Sequence, residues 1–207
     1  MDFFSAVTTV GTVKRYEKKE VDDKLIGVIL YMANHADSVG NLQGWEFIIV
    51  KDPEIKKRLH KAALKLDVVK DAPVDIVVCA DLKKFSLKYE ERGEYLYSIQ
   101  DTAGTITIMM ITAQLLGLGT NWVRAFDEQD VKTALGLPNE LRPVGIITLG
   151  YPLEKAEKKK LKEFEYMTSL DQFKKKYDIS YMFQIGPKEE VFKPIFNQII
   201  DKLKKKE

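Results

Sequence analysis

Between Asp101 and Arg124 the chain runs for 22 residues without a charged side chain. No other feature limits its possible folds as much. The run is long enough to cross a bilayer, yet its interior argues against that. Thr102, Thr105, Thr107, Thr112, Gln114, Thr120 and Asn121 are polar, and Gly117 and Gly119 end any helix before the run does. A helix apolar on all sides, with no second such segment to pack against in lipid, is one buried in protein. The expectation is therefore no membrane span. The small residues Ala103, Gly104 and Ala113 suggest a close helix–helix contact, across a dimer.

Around this run, helices and strands interleave. Val21, Leu25, Val28, Ile29 and Met32 recur at helical spacing in 21–35, and WEFIIVK (45–51) reads as a strand. Asp52-Pro53 opens a helix with a capping carboxylate and a proline at the first position. VDIVVCA (74–80) and GIITLGY (145–151) are apolar enough for interior strands. One long helix is expected near 94–117, then a short TNWVRAF segment and a helix capped by Asp127. The tail, 188–206, carries one amphipathic helix with Val191, Phe192, Ile195, Ile199 and Leu203. Such interleaving belongs to α/β or α+β folds.

The chemistry inventory is sparse. Cys79 has no partner for a disulfide or a cysteine-based metal site and reads as a small buried hydrophobe. Only His35 and His60 exist to act as a base. His35 ends a helix, where a cation suits the dipole, and His60 sits in a Lys-rich helix and reads as solvated. No metal site is expected. There is no phosphate-cradling P-loop, no Rossmann glycine fingerprint and no GxSxG elbow. The net charge of +2 is too small for a nucleic-acid footprint, so no nucleic-acid partner is expected. The opening MDFFSAVTTVGTVKRY has no signal-peptide pattern, and the expected location is cytoplasmic. Lysine in large excess over arginine, with abundant Glu, leans toward a thermophile. By elimination, any enzymology belongs to a bound organic cofactor or to loop backbone.

Three stretches together carry a resemblance. Residues 99–152, IQDTAGTITIMMITAQLLGLGTNWVRAFDEQDVKTALGLPNELRPVGIITLGYP, resemble the central helix, Gly-Leu-Gly turn, flavin loop and closing strand of the FMN-dependent nitroreductase family. SVGNLQGWEF (38–47) is similar to that family's flavin-contacting PSxxNxQPW loop, and TVKRY (12–16) to its N-terminal RxSxRxF motif. The resemblance implies an α+β sandwich of nitroreductase type: a mixed, mostly antiparallel sheet flanked by helices, with a long central helix at a dimer interface. It covers 1–165 as an FMN-binding domain and leaves 166–207 as an extension packing on the same domain or on the partner subunit.

The resemblance also implies a cofactor site. Gly11, Thr12 and Lys14 fall on the phosphate-binding motif, although Val10 stands at its first basic position. Lys158 and Lys160 fall near a late basic pair for the same phosphate. Ser38, Gly40, Asn41 and Gln43 match the loop that holds the ribityl chain and ring edge, with Asp37 and Gly44 in place of two prolines. These four would come from the chain opposite Lys14. Arg124 and Ala125 match the loop whose backbone N–H groups face the flavin ring. Arg124 either places a cation beside that ring or pairs with Asp127 or Glu128 on the surface. Taken alone, Lys14 reads as a solvated lysine; the alternative for 38–44 is a polar turn.

The implied activity is a homodimeric FMN oxidoreductase. It takes hydride from NADH or NADPH and passes it through flavin N5 to a small-molecule acceptor: a nitroaromatic, quinone or flavin. No side chain is expected to act as catalytic acid or base. The alternative is a degenerate fold relative, acting as a flavin carrier or interaction module without turnover. The missing cation at position 10 and the missing prolines motivate it.

Overall fold

The computed structural model describes residues 1–154, 156, 160–177 and 188–204. The chain divides into two compact units, Met1–Lys158 and Lys159–Glu207. The first holds α1 (Phe3–Thr9), α2 (Asp23–Ala33), β1 (Trp45–Val50), α3 (Pro53–Ala62), α4 (Asp67–Asp71), β2 (Val74–Asp81), α5 (Leu82–Arg92), α6 (Ser98–Leu115), β3 (Gly119–Val123), α7 (Glu128–Leu135) and β4 (Leu141–Gly150). The strands form an antiparallel sheet in the order β1-β2-β4-β3. An isolated parallel bridge from Thr12 to Thr120 adds a mixed edge. This is the α+β fold the resemblance implied.

Alternation along β2 decides the layers. Val74, Ile76 and Val78 face one core with Ile26, Ile29, Ile106, Met109 and Leu118. Val77 and Cys79 face the other with Leu59, Val69, Val131 and Ala134. Helices therefore cover both faces, which is why the β2 and β4 sequences are apolar nearly without interruption. Pro143 is tolerated in β4 because it lies at a register shift: Val78 opposes Gly145 while Cys79 opposes Pro143. Burial pushes the Cys79 thiol up to about 12, so it is an inert core group.

The caps form as their residues dictate. The Asp52 carboxylate accepts from the N–H groups of Glu54 and Ile55, and the Asp127 carboxylate from that of Asp130. The long helix expected near 94–117 forms over Gly93–Leu115, its first turn a wide π turn (Gly93–Tyr97) that runs into α6, and α5 precedes it. The chain breaks at Glu90, whose φ is +50°. The turn then folds so tightly onto α5 that a Cβ on Gly93 would lie 2.4 Å from the Phe85 carbonyl oxygen.

In α6 the polar residues are accommodated locally. Thr102, Thr105 and Thr107 each donate to the carbonyl four residues earlier, at 2.7, 3.1 and 2.9 Å. Among the described residues, no helix is long and apolar enough to cross a membrane. Ala113 is fully buried in the core it shares with Ile26, Ile29 and Ala33 of α2, so its helix contact lies within the chain and not across a dimer. Gly104 is exposed, and nothing lies within 4 Å of where its Cβ would stand. In α2, Val28 and Met32 lie outside the core, because Ile26, Ile29 and Ala33 make the buried stripe. His60 is not solvated as expected: its side chain is only 19% exposed, with Nε2 3.4 Å from Asp67. His35 follows the end of α2, where Nδ1 lies 2.9 Å from the Tyr31 carbonyl oxygen.

The second unit contains a 3-10 turn over Phe164–Met167 and the helix α8 (Lys188–Lys204), where the tail helix was expected. Pro194 lies inside α8, where it removes one backbone hydrogen bond.

Candidate functional site

The N-terminal motif is an extended segment laid along β3, the sheet edge. The Val13 N–H donates to the Thr120 carbonyl at 2.9 Å, and the Asn121 amide donates to the Val13 carbonyl at 3.2 Å. Gly119 is required for this approach, since a Cβ there would stand 2.6 Å from Val13 Cγ2. Extended backbone alternates its side chains. Val13 turns into the core; the alternation breaks at Arg15, so that Tyr16 is buried as well and its hydroxyl meets Thr148 Oγ1 at 2.6 Å. Thr12 and Lys14 are consequently exposed on the outer side, with Gly11 buried beneath them. Arg15 is held elsewhere, by Glu154 at 2.9 Å.

At the far end of β3, the Arg124 guanidinium carbon lies 3.7 Å from the Trp122 ring centroid. The surface pairing with Asp127 or Glu128 is not what forms. Asp127 caps α7, and Glu128 binds Arg142 at 2.8 Å. Gly145 makes room for the indole: a Cβ there would be 2.3 Å from Trp122 Nε1. Ala125 is exposed beside Arg124. Thus Thr12 and Lys14 flank the start of β3, and Arg124 and Ala125 its end.

The second group gathers in the turn between α2 and β1. Gly40, Asn41 and Gln43 have φ of +54°, +56° and +48°. The Gln43 N–H donates to Ser38 Oγ at 3.1 Å, and the Val39 N–H to Asp101 Oδ2 at 3.1 Å. The side chains of Gln43 and Asn41 meet at 2.7 Å and remain exposed. Burial raises the Asp101 carboxyl above the ordinary carboxylate range, against the Val39 N–H that favours its charge. Trp45, at the head of β1, belongs to the core, and its Nε1 donates to Asn34 at 2.9 Å. A cleft of about 530 Å³ opens beside the turn, lined by Asn34, Asn41, Gln43, Trp45, Glu46 and Lys84 among others.

The N-terminal segment and the 38–44 turn are tied to opposite ends of α6. Gln114 of α6 holds Thr9 at 3.1 Å, while Asp101 of α6 holds Val39. The two anchors are 13 residues apart on the helix, roughly 20 Å at 1.5 Å per residue. Lys158 lies outside the described residues, and Lys160 is an exposed residue of the second unit. Motif reading passed over Asp101, Lys84 and Lys88, because they carry no pattern and only the fold brings them to the 38–44 turn.

Known proteins resemble this chain in sequence and in fold. The chain is 28% identical over 155 residues to an NADH dehydrogenase/NAD(P)H nitroreductase of Archaeoglobus fulgidus, covering 73% of this chain and 86% of the relative. It is 23% identical over 171 residues to an FMN reductase [NAD(P)H] of Bacillus subtilis, covering 76% and 69% respectively. A nitroreductase-like protein from Streptococcus mutans superposes with a TM-score of 0.77 at 18% identity, covering 83% of this chain and 98% of that one. The Nitroreductase family model matches residues 11–67 and 60–151, a span holding the 38–44 turn, α6 and all four strands. With its N-terminal motif laid along the sheet edge and its amide-bearing turn at the opposite end of α6, this chain belongs to the Nitroreductase family of oxidoreductase enzymes.

Proposed function

We propose that two copies of this chain build an FMN site between them and use NADH or NADPH to reduce a small acceptor such as a nitroaromatic, quinone or flavin. The observation that carries this reading is the separation of the two residue groups along α6. A ligand that needs both takes one group from each chain, and two α6 helices side by side in opposite directions would bring them together. The exposed face of α6 suits that contact, since Gly104, Thr107 and Leu115 carry no charge and Gly104 is open to close approach.

The residues present fit FMN. A phosphate dianion takes charge-assisted and hydroxyl donors, and Lys14 and Thr12 offer an ammonium and a hydroxyl on one exposed side of an extended segment. The amides of Asn41 and Gln43 orient ribityl hydroxyls and ring-edge groups, each giving both donors and an acceptor. Arg124 and Ala125 supply the loop backbone facing the ring. Gly40 admits a close neighbour that a side chain would displace. When bound, FMN supplies the ring nitrogen that takes hydride from the nicotinamide and hands reducing equivalents on, so the chain needs no acid or base of its own. The names of the relatives support the nicotinamide donor and the flavin.

The test is the visible absorption of the purified chain before and after anaerobic NADH or NADPH, with its elution volume on a sizing column. A yellow dimer that bleaches is the expected result. A yellow chain that stays oxidised with both nucleotides overturns it in favour of a flavin carrier, and a colourless chain that FMN does not reconstitute overturns it in favour of an interaction module. Val10 motivates that second reading, because it terminates α1 where a cation would otherwise stand.

A further inference from the structure

The turn over 38–44 is held from outside by α5. The family resemblance places prolines at 37 and 44, which would stiffen this turn, and the chain has Asp37 and Gly44 instead. At Gly44 the missing ring is replaced by another residue's: Phe85, fully buried, would stand 2.4 Å from a Cβ there. At Gly40, a Cβ would meet the Tyr89 hydroxyl at 2.2 Å and Lys88 Nζ at 2.6 Å. Lys88 donates to the Gly40 carbonyl at 2.9 Å, and Lys84 reaches the Gln43 carbonyl at 3.4 Å. From the opposite side, α6 contributes Asp101 to the Val39 N–H. Four N–H groups of the turn are satisfied: Val39 by Asp101, Asn41 and Leu42 within the turn, and Gln43 by Ser38.

Asn41 and Gln43 both adopt positive φ without being glycine. Backbone of that kind persists only where its surroundings over-determine it, and here those surroundings are side chains of α5 and α6. The segment that supplies the clamp is itself bent, at Glu90, and then folds back through Gly93.

We propose that Lys88, supported by Lys84 and Asp101, is a positioning residue that keeps the 38–44 turn in its flavin-receiving form, replacing with tertiary contacts the stiffness that prolines would give. The proposal rests on the FMN reading of the same turn. Lys88 acts through the backbone of Gly40 and makes no contact with the ligand. Its removal therefore loosens the turn before any flavin is added.

The experiment uses the full chain without flavin. Amide hydrogen exchange is followed at Val39 and Gln43, and FMN affinity is measured by quenching of its fluorescence. In Lys88→Met, exchange at both amides is expected to accelerate, and the dissociation constant for FMN to rise about tenfold, the effect of one charge-assisted hydrogen bond. Melting of the apo protein should stay unchanged, because Lys88 is exposed. Lys88→Arg should restore both readouts, and Asp37→Pro added to Lys88→Met should recover FMN affinity by stiffening the turn directly. Unaltered exchange in Lys88→Met overturns the proposal. So does weaker binding that Asp37→Pro fails to rescue, since Lys88 would then touch the ligand itself. If the unmutated chain binds no FMN, the flavin reading fails and the proposal falls with it. If the chain binds FMN and Lys88→Met binds it equally, the proposal alone fails.

Discussion

Phe85 of α5 occupies the space that any side chain at Gly44 would need: a Cβ built there lies 2.4 Å from Phe85 Cε2 and 2.9 Å from Cζ. The ring is fully buried and joins two segments 41 residues apart, the turn before β1 and the helix after β2. Gly44→Ala is therefore expected to destabilise the chain by about 1–3 kcal/mol, the usual cost of overpacking. Pairing it with Phe85→Leu should recover part of the loss, because the two sites share one volume. Thermal unfolding of the two single variants and the double checks this. Strict additivity would show that the ring and the glycine are not coupled.

Gly104→Leu should break the dimer without harming the monomer. Nothing lies within 4 Å of its Cβ position, and leucine favours a helix interior by roughly 0.5–1 kcal/mol over glycine. Elution at the monomer volume with undiminished helical circular dichroism is the expected outcome. An unshifted elution volume would remove α6 from the interface.

Lys14→Ala should weaken FMN binding by roughly ten- to a hundredfold, the range for losing one charge-assisted hydrogen bond. Lys14 stands on the exposed side of its segment, next to the buried Val13, so the fold should not suffer. Fluorescence titration with FMN measures the effect. Equal affinity in the variant would exclude Lys14 from the site.

Asp75 supplies a pH test. It is fully buried, and Lys56 Nζ lies 3.4 Å away while also donating to the Ala72 carbonyl. Burial pushes its carboxyl up to about 7, and Lys56 opposes this only in part. The folded chain therefore keeps a proton that the unfolded chain releases near pH 4. The stability contribution is present below that pH and lost as pH rises to about 7. Stability should therefore fall steadily as pH rises through that window. Asp75→Asn should abolish this slope relative to the unmutated chain, whatever its effect on absolute stability. Denaturant midpoints at pH 4, 5.5, 7 and 8 would show it, and parallel curves would refute it.

Local chemistry made much of this protein legible in its sequence. Apolar runs marked β2 and β4 as interior strands, and aspartates with free first-turn N–H groups ahead of them marked the starts of α3 and α7. The resemblance brought Thr12, Lys14, Asn41 and Gln43 forward, because each lies in a short motif whose residues are neighbours in sequence. Only the tertiary structure decided the rest. The break between α5 and α6 depends on how closely Gly93 approaches Phe85, and the burial of Ala113 on which side of α6 meets the sheet. Likewise Arg124 rests on Trp122, although Asp127 and Glu128 are also within four residues of it. Lys88 and Asp101 reach the 38–44 turn from 48 and 62 residues away. Periodicity and capping act within a few residues, and so are written in the sequence. Contacts that hold a strained turn act across the fold, and exist only once β1 and β2 have paired and carried α5 back over the turn.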